Sequence, residues 1–164
     1  MNYKPETHQE ILELSAGLND AGKDKKNAKF NLVIAQGKYT LKKHVSTIEE
    51  AAEPSEEYLD FDKRKRELHA KYATAASNGQ TKIPDDKWPE FKAELDEFRA
   101  APENKEIEDA FDAQEKSYKK LLKSQPTGED EKPLVIKMVE IPKSMIPDTL
   151  SGNQIAAIMP IVKI

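Results

Sequence analysis

"NAKFNLVIAQGKYTLKKHVSTIEEAAEPSEEYLDFDKRKRELHAKYA", residues 27–73, is the stretch of sequence that decides the predicted fold. Apolar side chains recur every three or four positions on both sides of the break "AAEPSEE", as they do in amphipathic helices. A proline followed by a serine is typical of the end of one helix and the start of the next. We therefore predict an antiparallel helical hairpin over residues 25–76. Its seam residues are Phe30, Ile34, Gly37, Leu41, Val45, Ile48, Tyr58, Phe61, Lys65, Leu68, Tyr72 and Ala75.

Shorter elements flank the hairpin, so the predicted fold class is mainly α with minor β (α+β). Spacing predicts helices over residues 5–18, near 87–99 and over 103–123. The β-branched run "LVIKMVEI", residues 134–141, is the best strand candidate, and we expect residues 80–83 or another chain to pair with it. Within one domain the chain then divides into an N-terminal helix (1–22), a hairpin arm (23–78) and an α+β body (79–164).

Local signals refine these elements. Asn78-Gly79 predicts a tight turn, and Asp85 or Asp86 is expected to cap the helix that carries Trp88. Near the C-terminus, Ser151 and Gln154 have the spacing of a capping box ahead of a short docking helix.

Composition limits the class of protein. Only 37% of the 164 residues are hydrophobic, below the roughly 45–50% of globular domains, so either the packing is thin or a partner completes the core. The chain has no cysteine, which excludes disulfides, thiolate metal sites and a cysteine nucleophile. The N-terminus lacks the features of a signal peptide, and no run approaches the roughly 20 apolar residues that span a bilayer. We therefore expect a cytoplasmic protein without membrane contact.

Residue types that carry chemistry do not form a recognisable catalytic pattern. His8, His44 and His69 fall in three separate predicted helices, so we predict no metal site. Acidic residues cluster around the predicted hairpin turn, where a solvated knob is the simpler interpretation than a shielded two-carboxylate site. The sequence has no glycine-rich phosphate loop and no nucleophile elbow. We predict that the protein is not an enzyme and uses no cofactor.

A basic cluster is the first candidate binding site. If the hairpin turns near Pro54, the lysines before the turn lie level with the basic run after it, and a band forms from Lys42, Lys43, Lys63, Arg64, Lys65 and Arg66. Such a band could bind a phosphodiester or an acidic protein. Acidic residues in the same run and the net charge of −4 favour an ordinary solvated face instead.

The C-terminal segment is the second candidate. Residues 141–164 carry only three charged side chains in a chain that is 34% charged. Its large apolar residues would form an unusual surface patch if they stayed in water. We expect them to be buried, either against the strand and the Trp88 helix or in a second subunit or another protein. They are Met145, Ile146, Leu150, Ile155, Ile158, Met159 and Ile161.

Four segments together carry a family resemblance: "YLDFDKRKRELHAKYA", "SNGQTKI", "WPEFKAELDEF" and "VEIPKSMIPDTLSGNQIAAIMPIVKI". Their order resembles that of small tailed-bacteriophage accessory proteins, in which a helical hairpin precedes a strand and a closing P-x-x-L-T-x-x-Q-type segment. Residues 100–133 add a helix and a linker to that pattern. The resemblance implies a phage-encoded, early-expressed accessory protein and no catalytic residues. The matching residues are Tyr58, Arg64, Glu67, Leu68, Lys71, Tyr72, Gly79, Phe91, Glu94, Leu95, Leu150, Gln154, Ile155, Ile158, Met159, Pro160 and Ile161.

Three functional hypotheses follow. The leading one is a phage protein that binds a host or phage protein during takeover, defence evasion or replication. The second is a nucleic-acid or nucleotide binder that uses the basic band. The third is a structural phage component that forms homo-oligomers, because its strand and apolar segment complete a neighbouring copy.

Overall fold

The computed structural model describes residues 1–23, 27–75 and 81–163. The fold is mainly α with minor β, as predicted. The turn predicted at Asn78-Gly79 lies outside the described residues. The helices are α1 (His8–Ala21), α2 (Ala28–Glu50), α3 (Glu56–Tyr72), α4 (Trp88–Ala100), α5 (Pro102–Lys123) and α6 (Gly152–Ile158). The strands are β1 (Asn2–Tyr3), β2 (Thr74–Ala75), β3 (Thr81–Lys82), β4 (Ile136–Lys137), β5 (Ile141–Pro142) and β6 (Val162–Lys163).

Polar side chains fix most of the helix starts. The side-chain oxygens of Thr7, Asn27 and Ser55 each accept a hydrogen bond from a backbone N–H in the first turn of α1, α2 and α3. The capping box predicted for Ser151 and Gln154 is confirmed at the start of α6. The cap predicted for α4 was wrong, because Lys87 occupies the capping position and makes no side-chain hydrogen bond there.

The chain forms two compact units. Unit 1 consists of Met1–Ala51 and Tyr118–Ile164, and unit 2 consists of Ala52–Ser117. The boundary separates α2 from α3 and therefore divides the predicted hairpin arm between the units. Helix α5 begins in unit 2, and its last residues belong to unit 1.

Both helices of the predicted hairpin exist, and each packs mainly on a helix of its own unit. Helix α2 packs mainly on α1, and α3 packs mainly on α4. Gly37 lies in the predicted seam and faces α1. A Cβ at this position would lie 3.2 Å from Cδ1 of Leu18 in α1. The glycine permits a close approach, as the spacing indicated, but the approaching helix is the one that precedes α2. An apolar stripe predicts which face is buried and leaves the covering helix undetermined.

The strand prediction was only partly correct. Residues 134–141 contribute to two short strands, and neither pairs with residues 80–83. Instead β4 pairs antiparallel with β1, and β5 pairs parallel with β6. The described part of residues 80–83 contributes β3, which pairs with β2. Pro142 is the second residue of β5.

The C-terminal segment is buried within its own chain. Helix α6 packs on α1, and Ile158 and Ile161 are fully buried in the core of unit 1. Side-chain Nε2 of Gln154 also donates a hydrogen bond to the carbonyl of Asp20 near the end of α1. Of the two alternatives left open by the sequence, the structure has burial within one chain, and α1 provides the covering surface.

Unit 2 has a thinner core built from aromatic side chains. Only Phe61 and Phe91 are buried hydrophobic residues among those described in this unit. The Phe61 and Phe98 rings stack with centroids 5.3 Å apart, and the Tyr58 and Phe111 rings stack at 3.6 Å. These contacts join α3 to α4 and α5.

Candidate functional site

The predicted basic band draws its residues from both units. Lys42 and Lys43 lie on α2 in unit 1, whereas the run from Lys63 to Arg66 lies on α3 in unit 2. The two halves are therefore treated as separate surfaces, each with its own neighbours.

The α3 half is largely balanced by its own helix. Arg64 Nε lies 3.0 Å from an oxygen of Asp60, and Arg66 Nη2 lies 2.6 Å from an oxygen of Asp62. Both pairs are four residues apart, the spacing at which opposite charges meet on a helix. Lys65, which occupies a seam position, places its ammonium 5.8 Å from the centroid of the Phe61 ring. This half has the character of a solvated face, the simpler interpretation of the sequence.

The α2 half is different because its basic residues have no acid within four positions on their own helix, which ends in Glu49 and Glu50. From Ala28 to Ile48 the helix carries four lysines and one histidine, and no aspartate or glutamate. None of these lysines forms an ion pair with any residue that the structure describes. Burial, together with the charge of Lys43, lowers the pKa of His44, so the lysines carry the charge of this surface at neutral pH. The four are Lys29, Lys38, Lys42 and Lys43.

Two exposed apolar side chains accompany these lysines. Tyr39 is 82% exposed and Leu32 is 62% exposed. They are seven positions apart, which places them on the same side of the helix, away from the buried seam. Tyr39, Lys42, Lys43 and Ser46 line one shallow groove on this side, together with Glu50 at the end of α2. We call the surface formed by Leu32, Tyr39, Lys42, Lys43 and Ser46 the α2 outer face.

The two apolar members of this face were not predicted from the sequence. The signal was present, since Leu32 and Tyr39 lie outside the seam that accounts for the other large apolar residues of α2. Tyrosine presents a large, rigid contact area and is enriched at protein interfaces. An exposed tyrosine beside lysines that form no ion pair with a described residue is therefore a candidate anchor for a partner.

The C-terminal residues predicted as an interface do not form one in this chain. Leu150, Ile158 and Ile161 belong to the buried core, and three others pack against that core partly buried. Met159 alone among the seven is substantially exposed, at 40%. The three partly buried members are Met145, Ile146 and Ile155.

A polar cluster joins α3 to α4 in unit 2. Lys71 Nζ lies 2.8 and 2.7 Å from the two carboxylate oxygens of Glu94, and the Tyr72 hydroxyl donates a hydrogen bond to the same carboxylate. The hydrogen bonds from Lys71 and then Tyr72 lower the pKa of Glu94, and those to Glu94 raise the pKa of both partners. The cluster fastens α3 to α4.

Other site chemistry can be stated only for the described residues. Within residues 1–23, 27–75 and 81–163, no group of three or more histidine or acidic side chains is placed to hold a metal ion. Across the same ranges, every helix is too short or too polar to cross a bilayer.

Comparison with known proteins adds no further constraint. No protein-family model, curated protein sequence or solved structure matches the chain. Function must therefore be inferred from the residues themselves, and the phage resemblance stays a hypothesis.

Proposed function

We propose that this protein acts by binding an acidic protein partner through the α2 outer face, and that it is not an enzyme. The observation that carries the proposal is the exposed Tyr39, which lies beside lysines that no described acid neutralises. Aromatic anchors supply much of the affinity at protein interfaces, and complementary charge supplies association rate and orientation. The face offers both.

The chemistry of the face specifies the partner. Leu32 and Tyr39 suit apolar side chains one heptad apart, and the lysines beside them suit aspartate or glutamate. An amphipathic helix with an acidic border has this pattern. A phage accessory role in a host cytoplasm, in takeover, defence evasion or replication, belongs to the same proposal and is supported by the resemblance alone.

The other two hypotheses have weaker support. Nucleic-acid binding is weakened because Arg64 and Arg66, two of the four basic residues of the α3 half, are paired with Asp60 and Asp62. Self-assembly rested on an unpaired strand and an uncovered C-terminal segment, and both have partners within the chain.

Peptide selection tests the proposal with the full chain as bait. We expect selected peptides to be rich in Asp and Glu with interleaved Leu or Phe. The double substitution Tyr39→Ala with Lys43→Glu removes an anchor and reverses a charge, so the Kd of a selected peptide should rise at least about tenfold. Fluorescence anisotropy measures that Kd.

A matched control exists on α3. Leu59 is 55% exposed, and it lines one shallow groove with Lys63, four residues away. Leu59→Ala with Lys63→Glu makes the same kind of change in unit 2 and should leave the Kd unchanged. Equal effects of the two double substitutions would contradict the proposal. Tight duplex DNA binding that weakens steeply with salt and disappears with Lys42→Glu and Lys43→Glu would favour nucleic acid instead.

A further inference from the structure

The pairing of β4 leaves one of its two edges without a neighbouring strand among the described residues. Strands β4 and β1 form a two-stranded antiparallel sheet in unit 1. The pairing continues to Met138, whose backbone N–H donates to the carbonyl of Met1 and whose carbonyl accepts from the Met1 amine. These bonds all lie on the β1 side of the strand, so the opposite edge of β4 is a separate surface.

Four backbone groups belong to this opposite edge. Along an antiparallel strand, residues that exchange hydrogen bonds with the neighbour alternate with residues whose N–H and C=O groups face away from it. Met138 is a bonded residue, and Ile136, two positions earlier, has the same orientation. The N–H and C=O of one trans peptide point in opposite directions, so the carbonyl of Val135, both groups of Lys137 and the N–H of Val139 face away from β1. None of the four has a hydrogen-bond partner within the described ranges.

The side chains of the same residues combine two exposed valines with a lysine. Ile136 and Met138 are buried, whereas Val135 and Val139 are 45% and 37% exposed. Lys137 is exposed as well and forms no ion pair with a residue that the structure describes. Alternate residues of a strand share a face, so the three exposed side chains form one outward row. We call the surface formed by residues 135–139 the β4 edge.

We propose that the β4 edge binds an extended acidic segment of another protein, which adds a third strand to the β1–β4 sheet. In such strand addition, main-chain hydrogen bonds supply affinity and alternate side chains supply specificity. The outward row of the edge reads valine, lysine, valine. The matching segment therefore carries an apolar residue, an acid and a second apolar residue at alternate positions, because opposite charges and β-branched pairs stabilise facing positions. This site is separate from the α2 outer face.

A second copy of this chain is a poorer occupant of the edge. When two β4 edges pair antiparallel with each valine opposite a valine, the two Lys137 side chains stand directly opposite each other. Like charges at facing positions destabilise a strand pair, and lysine on an edge strand commonly opposes such self-pairing. An acid at the same position replaces the repulsion by attraction. Lys137 thus disfavours the copy and favours the acidic segment.

Backbone methylation of a probe peptide tests strand addition on the unaltered full chain. The probe is acetyl-Thr-Val-Thr-Glu-Thr-Val-Thr-amide, in which Val, Glu and Val match the row on the β4 edge. Successive N–H groups of a strand face opposite edges, and the Glu that pairs with Lys137 turns its N–H toward the protein. The peptide N-methylated at Glu and the second Val should therefore have a Kd at least about tenfold higher than the peptide N-methylated at the two central Thr. Equal Kd values for these two peptides would overturn the proposal.

Amide hydrogen exchange locates the bound peptide on the chain. With saturating probe, exchange of the Lys137 and Val139 amides should slow at least about tenfold, because both gain an acceptor. The amides of Ile136 and Met138 already face β1 and should change little. This alternating pattern is specific to a strand added at the β4 edge. Slower exchange that is confined to α2, with no change at Lys137 and Val139, would contradict the proposal and assign the peptide to the α2 outer face.

Charge exchange tests the choice of an acidic partner. Lys137→Glu should raise the Kd of the probe at least about tenfold, and replacing Glu in the probe by Lys should restore binding to this variant. Lys143→Glu is the matched control, since it makes the same charge change at an exposed residue of unit 1 outside β4, and the Kd should stay the same. Equal effects of the two substitutions would overturn the acidic specificity. A dimer of the full chain whose Lys137 and Val139 amides become protected without peptide would assign the edge to a second copy instead.

Discussion

Single residues set how closely the helices of unit 1 approach one another. Gly17 in α1 is buried, and a Cβ there would lie 2.7 Å from Cβ of Ala157 and 2.9 Å from its carbonyl oxygen in α6. Distances this short leave no room for a methyl group unless the backbone of α6 moves. The docking of the C-terminal helix therefore depends on the Cβ atom that this residue lacks.

Gly17→Ala should weaken the docking of α6. Replacing glycine by alanine gains roughly 1 kcal/mol in helix propensity, whereas overpacking typically costs about 1–3 kcal/mol. We expect a cost in the upper part of that range, and therefore a net loss of about 1–2 kcal/mol in stability. Hydrogen exchange of α1 and α6 amides measures this stability. Gly152→Ala is the control, because nothing lies within 4 Å of the place its new methyl group would occupy, and the change should be neutral or stabilising. Equal losses in both variants would contradict the close approach.

Tyr3 is expected to lower the free energy of unfolding of unit 1 as the pH becomes alkaline. Burial, with the charges of Glu10 and Glu13, raises the pKa of Tyr3 from 10.0 to about 12. The folded state thus holds the phenolic proton more tightly than the unfolded state, and the resulting stability is complete below the unfolded pKa of 10.0 and is lost as pH rises to about 12. We expect a loss on the order of 2 kcal/mol across that window. Tyr3→Phe should remove this part of the pH dependence in a series of denaturant melts, and an identical slope in both proteins would contradict it.

At the scale of the elements, the existence of each helix was more predictable than its pairing. The six α-helices of the described ranges fall where periodicity placed them, because the 3.6-residue repeat and the capping residues are local signals. The partner of each element depends on contacts distant in sequence. Strands β4 and β5 pair with β1 and β6, which lie near opposite ends of the chain. Strands of two residues are too short to give a sequence pattern that predicts such a pairing.

The candidate site followed the same division between local and distant information. Lys42 and Lys43 were identified from local charge, whereas their expected neighbours on α3 were inferred from a pairing of helices that lie in different units. The buried Asn104 gave no signal in the sequence, because asparagine near a helix start is usually a solvated or capping residue. Its burial depends on the turn between α4 and α5, which brings its Nδ2 within hydrogen-bond distance of the Phe98 carbonyl.

The short helix α6 provides a test at this scale. Ile158 is fully buried and its neighbour Met159 is 40% exposed. Ile158→Ala should cost about 2–4 kcal/mol of unit 1 stability, because it leaves a cavity in a packed core. Met159→Ala should cost less than about 1 kcal/mol, as expected for a surface position. Hydrogen exchange in α1 and α6 measures both, and comparable losses would show that α6 does not pack as described.

At the scale of the whole molecule, the net charge of −4 is an average over unlike parts. Unit 1 contains 15 basic and 12 acidic residues, and unit 2 contains 11 basic and 18 acidic residues. The two units therefore have opposite net charge, and the positive one carries the surface proposed to bind an acidic partner. The low hydrophobic content is consistent with a core as thin as the aromatic one of unit 2, where Phe61 and Phe91 are the buried hydrophobic residues among those described.

The C-terminal segment belongs to the core of its own chain, which is why the proposed binding site is a charged surface. The most direct test compares the full chain with a version that ends at Pro142, by light scattering and circular dichroism. We predict a full-length monomer of 18.5 kDa and a truncated chain that loses the helical signal of unit 1. A full-length oligomer, with a truncated chain that remains a folded monomer, would contradict this burial and make the segment an interface.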